Sequence, residues 1–374
     1  MLNTFYNFVI IMPVLFFLTK ELNFKYFKLN NQQFATTLVY HLCLGLIFIF
    51  ILKDKTADYT SYVNLQHMKP FSFRDAFISV ELIYNFVYIL KKLNFNDSNI
   101  ILVFSLISYF GILVFIKNLI KLGIEKKIAY LIFFIPGIHI WTSLPGKDCL
   151  IFFSLSLFFY SYLNKKFLFS IFFIIIIFLI RPHIGFIFVL SMVLAYLFSS
   201  KLNMRLILLV LLIPALFYLI ILYAPGGSYM RNTDISSENT FIRMLSQLHI
   251  QTLKFTNTNS HYADGYIITN MFNYILFPIS FIYKSSSLSL NISIIIEILT
   301  LFFLTTLIIN QKKTFKIDKK IIYFLCFCTL IYLLILPQVF FNYGLNSRQK
   351  WMILPFLIYL IFLLKNLFVI LKKK

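Results

Sequence analysis

The chain has 374 residues, 60% hydrophobic and only 13% charged, with a formal net charge of +21. So few charges exclude an ordinary soluble domain of this size. The basic excess is not that of a nucleic-acid binder either, because the lysines lie mostly between apolar runs, where the positive-inside rule puts them. An all-α polytopic integral membrane protein is expected, a single helical bundle over residues 1–374 with 11–13 transmembrane helices.

In chain order, apolar runs predict spans near 5–19, 34–52, 100–116, 128–143, 149–163, 167–180, 184–198, 206–223, 292–309, 321–336 and 351–364. The first twenty residues lack a basic n-region and a small-residue cleavage site, so the first span is expected to stay uncleaved. Two further segments are ambiguous. Residues 76–90 carry Glu81 and Asn85, and residues 266–283 carry two Asn and a Pro. Reading both as interfacial or re-entrant keeps every basic connection on one side. The connections assigned to the cytoplasm then hold 20 of the 34 Lys and Arg. That places the C-terminus inside and the N-terminus outside. Two longer outer segments result: 53–99, with an interfacial helix, and 224–290, with a re-entrant or interfacial segment. The four cysteines, Cys43, Cys149, Cys326 and Cys328, lie in or beside apolar runs and suggest neither a disulfide framework nor a zinc site.

The polar residues that break this pattern cluster at span ends on the outer side. "SLPGKDC" brings Gly146, Lys147 and Asp148, "IRPHIG" brings Arg181 and His183, and "NYGLNSRQKW" brings Arg348, Lys350 and Trp351. The first outer segment contributes Asp58, Tyr59 and Tyr62 from "DYTSY" and Glu81 and Tyr84 from "VELIY". Alone, Lys147, Arg348 and Lys350 also read as interfacial anchors, and Asp148 as the N-cap of a helix that begins there. Arg181 resists such a reading. It ends an apolar run of fourteen residues, and Pro182 and His183 follow at once with no loop to carry them. Several cations converging at one membrane boundary suit a polyanion with a hydrophobic tail, since Arg offers phosphate a planar fork and Lys a point charge. A lipid-linked diphosphate has that form.

These motifs, in their order and spacing over residues 50–360, resemble the Wzy-type O-antigen and capsular polysaccharide polymerases and the related EpsG-like exopolysaccharide polymerases. The matching elements are "DYTSY", the Glu of "VELIY", W-x-x-x-x-G-K-D from Trp141 to Asp148, "RPHIG", and N-x-G-x-x-x-R-Q-K-W-M-x-L-P-F near the end. EpsG-like chains often carry Glu-Pro where this chain has Glu81-Leu82. The resemblance implies a metal-independent glycosyltransferase without a cofactor, on the outer face of the bacterial inner membrane. It would transfer an oligosaccharide repeat unit from one polyprenyl diphosphate to the non-reducing end of another. Arg181, Arg348, Lys147 and Lys350 would then bind the diphosphate, and His183, with Glu81 or Asp148 as alternatives, would take the acceptor proton. Asp58, Tyr62, Arg243, His249 and His261 would hold sugar, with 224–290 as a lid. Flippase and chain-length regulator proteins would be partners, and nucleic acid would not.

Two other classes remain open in the sequence. An O-antigen ligase or another lipid-linked glycosyltransferase would use a similar basic clamp. A flippase for the same lipid-linked saccharide would carry charges along a central cavity in two similar halves.

Overall fold

Proline, glycine and asparagine mark several of the helix boundaries, because in so apolar a chain hydropathy alone seldom marks an end. The computed structural model describes residues 12–22, 27, 29–52, 57–64, 80–199 and 318–339, with isolated positions in 299–306 and 352–361. Among the described residues the structure is helical, and no strand occurs. The helices are α1 (Met12–Leu22), α2 (Asn31–Leu52), α3 (Ala57–Asn64), α4 (Val80–Lys92), α5 (Asp97–Lys121), α6 (Lys126–Phe133), α7 (Pro136–Thr142), α8 (Lys147–Leu163), α9 (Phe167–Ile180), α10 (Pro182–Ser199) and α11 (Lys319–Val339). By length and composition two of them, α5 and α10, are long and apolar enough to cross a membrane. The predicted spans 206–223, 292–309 and 351–364, and the segment 266–283, lie wholly or largely outside the described residues.

The chain forms two compact units, Met1–Gly185 and Phe186–Lys374. In the first, α5 is the central element. The Asn96 side chain accepts a hydrogen bond from the Asn99 N–H and starts the helix. One side of α5 packs along α8, where a Cβ at Gly111 would come within 2.9 Å of the Phe153 Cα. The absence of a side chain at Gly111 therefore lets the two backbones approach. Helix α9 also packs against α8. In the second unit the Phe188, Phe324 and Phe356 rings pack together, with centroids 4.9 to 6.2 Å apart.

The span predicted over 128–143 is two helices. Pro136 is the first residue of α7, and a residue before proline is pushed out of the helical region, which Ile135 obeys at φ −70°, ψ 114°. The break frees carbonyl groups at the end of α6, and side chains take them up. The Tyr40 hydroxyl donates to the Phe134 carbonyl at 2.7 Å, and His139 Nε2 lies 2.5 Å from the Phe133 carbonyl. Segment 76–90 is helical from Val80 onward, and α4 packs against both α3 and α5.

Filling the space at Gly111 would drive α5 from α8. A Gly111→Val substitution is expected to destabilise the fold by about 1–3 kcal/mol, the range for overpacking a filled interior. It should be read as an earlier unfolding midpoint in a detergent-denaturation titration, with Gly137→Ala as comparison.

Candidate functional site

The polar cluster is assembled by two tight turns of the first unit. The first joins α7 to α8 through residues 143–146, and Gly146 leads directly into Lys147, the first residue of α8. Asp148 is thus the second residue of the helix and not its N-cap, and no side chain caps the N-terminus of α8. Its carboxylate is committed elsewhere. The second turn is a single residue, Arg181, which ends α9 with its N–H bonded to the Ile177 carbonyl at 2.8 Å. The Arg181 carbonyl in turn accepts from the Ile184 and Gly185 N–H groups, opening α10. Pro182 forces this arrangement, and Arg181 is extended at φ −139°, ψ 90°, as a residue before proline should be.

The two turns meet side chain to side chain. Arg181 Nη2 lies 2.5 Å from Asp148 Oδ1, with the side chains only 10% and 14% exposed. Arg181 Nη1 is also buried and has no hydrogen-bond partner among the described residues. Lys147 and Arg181 both lie within electrostatic reach of His183. The cluster therefore gathers two basic side chains near one imidazole, with one of them, Arg181, paired to a carboxylate. A carboxylate held this way through Oδ1 orients the guanidinium fork.

The backbones are close where α9 and α10 meet as well. A Cβ on Gly185 would lie 2.8 Å from the Phe178 Cα, so the first turn of α10 is pressed against the last turns of α9.

The first outer segment joins this region through aromatic packing. Tyr62 of α3 and Tyr84 of α4 are both buried, with ring centroids 5.2 Å apart. A Cβ at Gly146 would sit in ordinary contact, 3.8 Å, with the Tyr62 ring. Cys149, next after Asp148, belongs to the same packed cluster as Tyr62, Tyr84 and Phe104, and its thiol donates to the Phe104 carbonyl at 3.0 Å. Glu81 is half-buried in the first turn of α4. Two of the four sequence clusters, "SLPGKDC" and the pair "DYTSY" and "VELIY", therefore share one packed region, "IRPHIG" is tied to it by the ion pair, and "NYGLNSRQKW" lies outside the described residues.

Asp58 lies on α3. Arg348, Lys350, Arg243, His249 and His261 lie outside the described residues. The sequence reading passed over His41 and His139, which are fully buried and face one another. A histidine inside an apolar run was the signal for each, in "YHLCLG" and "GIHIW". Comparison with family models, with curated proteins and with solved structures gives no match.

The Asp148–Arg181 pair makes an unequal set of variants. Asp148→Ala leaves a buried guanidinium without its carboxylate, a change of about 3–5 kcal/mol for buried pairs. Asp148→Ala with Arg181→Ala removes both charges and should recover part of that loss. Equal unfolding midpoints for the single Asp148→Ala variant and wild type would show that the pair does not hold the two turns together.

Proposed function

We propose that this chain is a polytopic membrane glycosyltransferase, a polymerase that joins polyprenyl-diphosphate-linked oligosaccharide repeat units and releases polyprenyl diphosphate. The membrane reading is supported by helix α9, which has no charged residue and leaves Leu168 82% exposed beside exposed Phe167, Phe169, Phe172 and Ile175. In water such a face would be an aggregation site, whereas in lipid it is an ordinary outer surface. The apolar runs outside the described residues are the basis for proposing 11–13 spans, and the excess of Lys and Arg in alternate connections is the basis for proposing a cytoplasmic C-terminus.

One observation carries the catalytic reading. Arg181 is aimed by Asp148, keeps a buried Nη1 without a hydrogen-bond partner among the described residues, and has Lys147 and His183 close by. A buried donor left unsatisfied costs free energy, and an oxyanion restores its partner. In the proposed reaction the glycosidic carbon of the donor is attacked by an acceptor hydroxyl while its bond to the diphosphate oxygen breaks. Negative charge grows on the leaving diphosphate, and cations placed beforehand lower that barrier. Lys147 and Arg181 take this role, with Arg348 and Lys350 assigned to it by the resemblance of "RQKW" to the polymerase motif. His183 is the proposed acceptor for the hydroxyl proton and Glu81 the alternative, with Asp148 serving to orient Arg181. Asp58, Tyr62, Arg243, His249 and His261 are the proposed sugar contacts.

A gel of lipid-linked glycans from cells lacking the gene tests this. A single repeat unit on the carrier in place of a ladder is expected, with the ladder restored by the wild-type copy and by Lys372→Ala. Arg181→Ala and Arg348→Ala should leave the single unit in place with the protein still in the membrane. Complete polymer lacking only its transfer to a final acceptor would favour a ligase, and units retained on the cytoplasmic face a flippase. A normal ladder in both Arg variants would exclude the diphosphate clamp.

A further inference from the structure

The first unit holds a second buried polar site, apart from the ion-pair cluster. His41 is the eleventh residue of α2, and His139 lies on α7, just past the break between α6 and α7. Their Nδ1 atoms are 2.7 Å apart. The far nitrogen of each ring meets a backbone carbonyl. His41 Nε2 lies 2.9 Å from the Ser105 oxygen on α5, and His139 Nε2 lies 2.5 Å from the Phe133 oxygen at the end of α6. A carbonyl oxygen only accepts, so each of these two contacts requires an N–H on the imidazole.

Counting protons then fixes the third contact. Two neutral imidazoles carry two N–H protons between them, and the carbonyl contacts use both. The Nδ1 atoms would then face each other as bare lone pairs at 2.7 Å, which is repulsive. Moving either proton to Nδ1 closes the ring-to-ring contact but sets a bare nitrogen against a carbonyl oxygen. All three contacts close together only when the two rings share three protons.

We propose that His41 and His139 form a binding site for one proton, held between their Nδ1 atoms at the broken helix α6–α7. The separation suits an N–H···N hydrogen bond. A metal ion does not fit the same gap, because two nitrogens at about 2.0–2.1 Å from one tetrahedral ion stand roughly 3.3 Å apart. Among the described residues no group of three or more His, Cys, Asp and Glu side chains surrounds them either.

The groups around the pair, among the described residues, are tyrosines. Tyr109 of α5 lies 5.9 Å from the His41 ring, Tyr40 of α2 lies 5.1 Å from the His139 ring, and Tyr130 of α6 acts on Tyr109. Among the described residues no carboxylate, lysine or arginine acts on either imidazole. Burying a cation without a counter-ion is costly, so occupancy and geometry are linked. With the proton bound, α2, α5 and both halves of the broken helix are tied through the two rings. With the proton gone, one of the three contacts opens. His139 lies eight residues before Lys147, so the segment the site anchors is the one that leads to Lys147 and Asp148 of the ion-pair cluster.

The test uses the full chain, labelled with nitrogen-15 histidine, in lipid nanodiscs. The chain has six histidines, and the spectrum is followed from pH 5 to pH 9. One pair of rings is expected to show nitrogen-to-nitrogen coupling through a shared proton, with three of its four ring nitrogens protonated. Raising the pH should remove that coupling in a single one-proton step. His41→Gln and His139→Gln should each abolish it, and His67→Gln should leave it unchanged. If either variant fails to fold, the wild-type spectrum decides by itself. Two protonated nitrogens in the pair across the whole range would overturn the proposal, as would a stoichiometric metal ion whose removal alone alters these two rings.

Discussion

Arg181 is the residue on which the first unit's polar chemistry depends, because one side chain has to satisfy two opposed demands. Pro182 forces the chain to end one helix and open another within a single residue, which sets a guanidinium among apolar helices. An unpaired charge there would be untenable. Asp148 meets half of the demand from the start of α8, and the fork keeps a second nitrogen for something else. The packing of Gly185 on Phe178 and of Tyr62 on Gly146 acts on the same two turns, so the neighbouring elements hold the pair in register.

The two polar sites of this unit solve the same problem by different chemistry. At Arg181 a charge is balanced by a carboxylate. At the broken helix the freed carbonyls of Phe133 and Phe134 are taken up by His139 and Tyr40, and the ring nitrogens left over find each other. Both arrangements follow from a proline that ends a helix where no water-filled loop is available. Two hydroxyl bonds also fasten α5 to its neighbours, Thr37 with Tyr109 at 2.9 Å and Ser108 with Thr142 at 2.5 Å.

Much of this was legible in the sequence where a boundary residue spoke clearly. The helix 167–180 matches its predicted span end for end, because a basic pair precedes it and Arg-Pro follows it. The run 128–143 misled, since its hydropathy continues unbroken through Pro136, and the proline itself was the signal that α6 and α7 are separate. Asp148 looked like an N-cap because Pro145 and Gly146 precede it. The helix begins one residue earlier, and the carboxylate turns to a cation 33 residues further along the chain, a contact no local pattern encodes. His41 and His139 are 98 positions apart and each reads alone as a core histidine, so their pairing was visible only once α2 and α7 were packed together.

The proposed role of this chain is to catalyse repeat-unit transfer itself, with Arg181 and its neighbours receiving the leaving diphosphate. Its most direct measurement is reconstitution of the purified chain alone in lipid vesicles with a polyprenyl-diphosphate-linked repeat unit and a chelator present. Products of two or more units should appear together with one released polyprenyl diphosphate per bond formed, and Arg181→Ala vesicles should make neither. Unchanged single units in wild-type vesicles, from protein shown to be folded, would contradict the account.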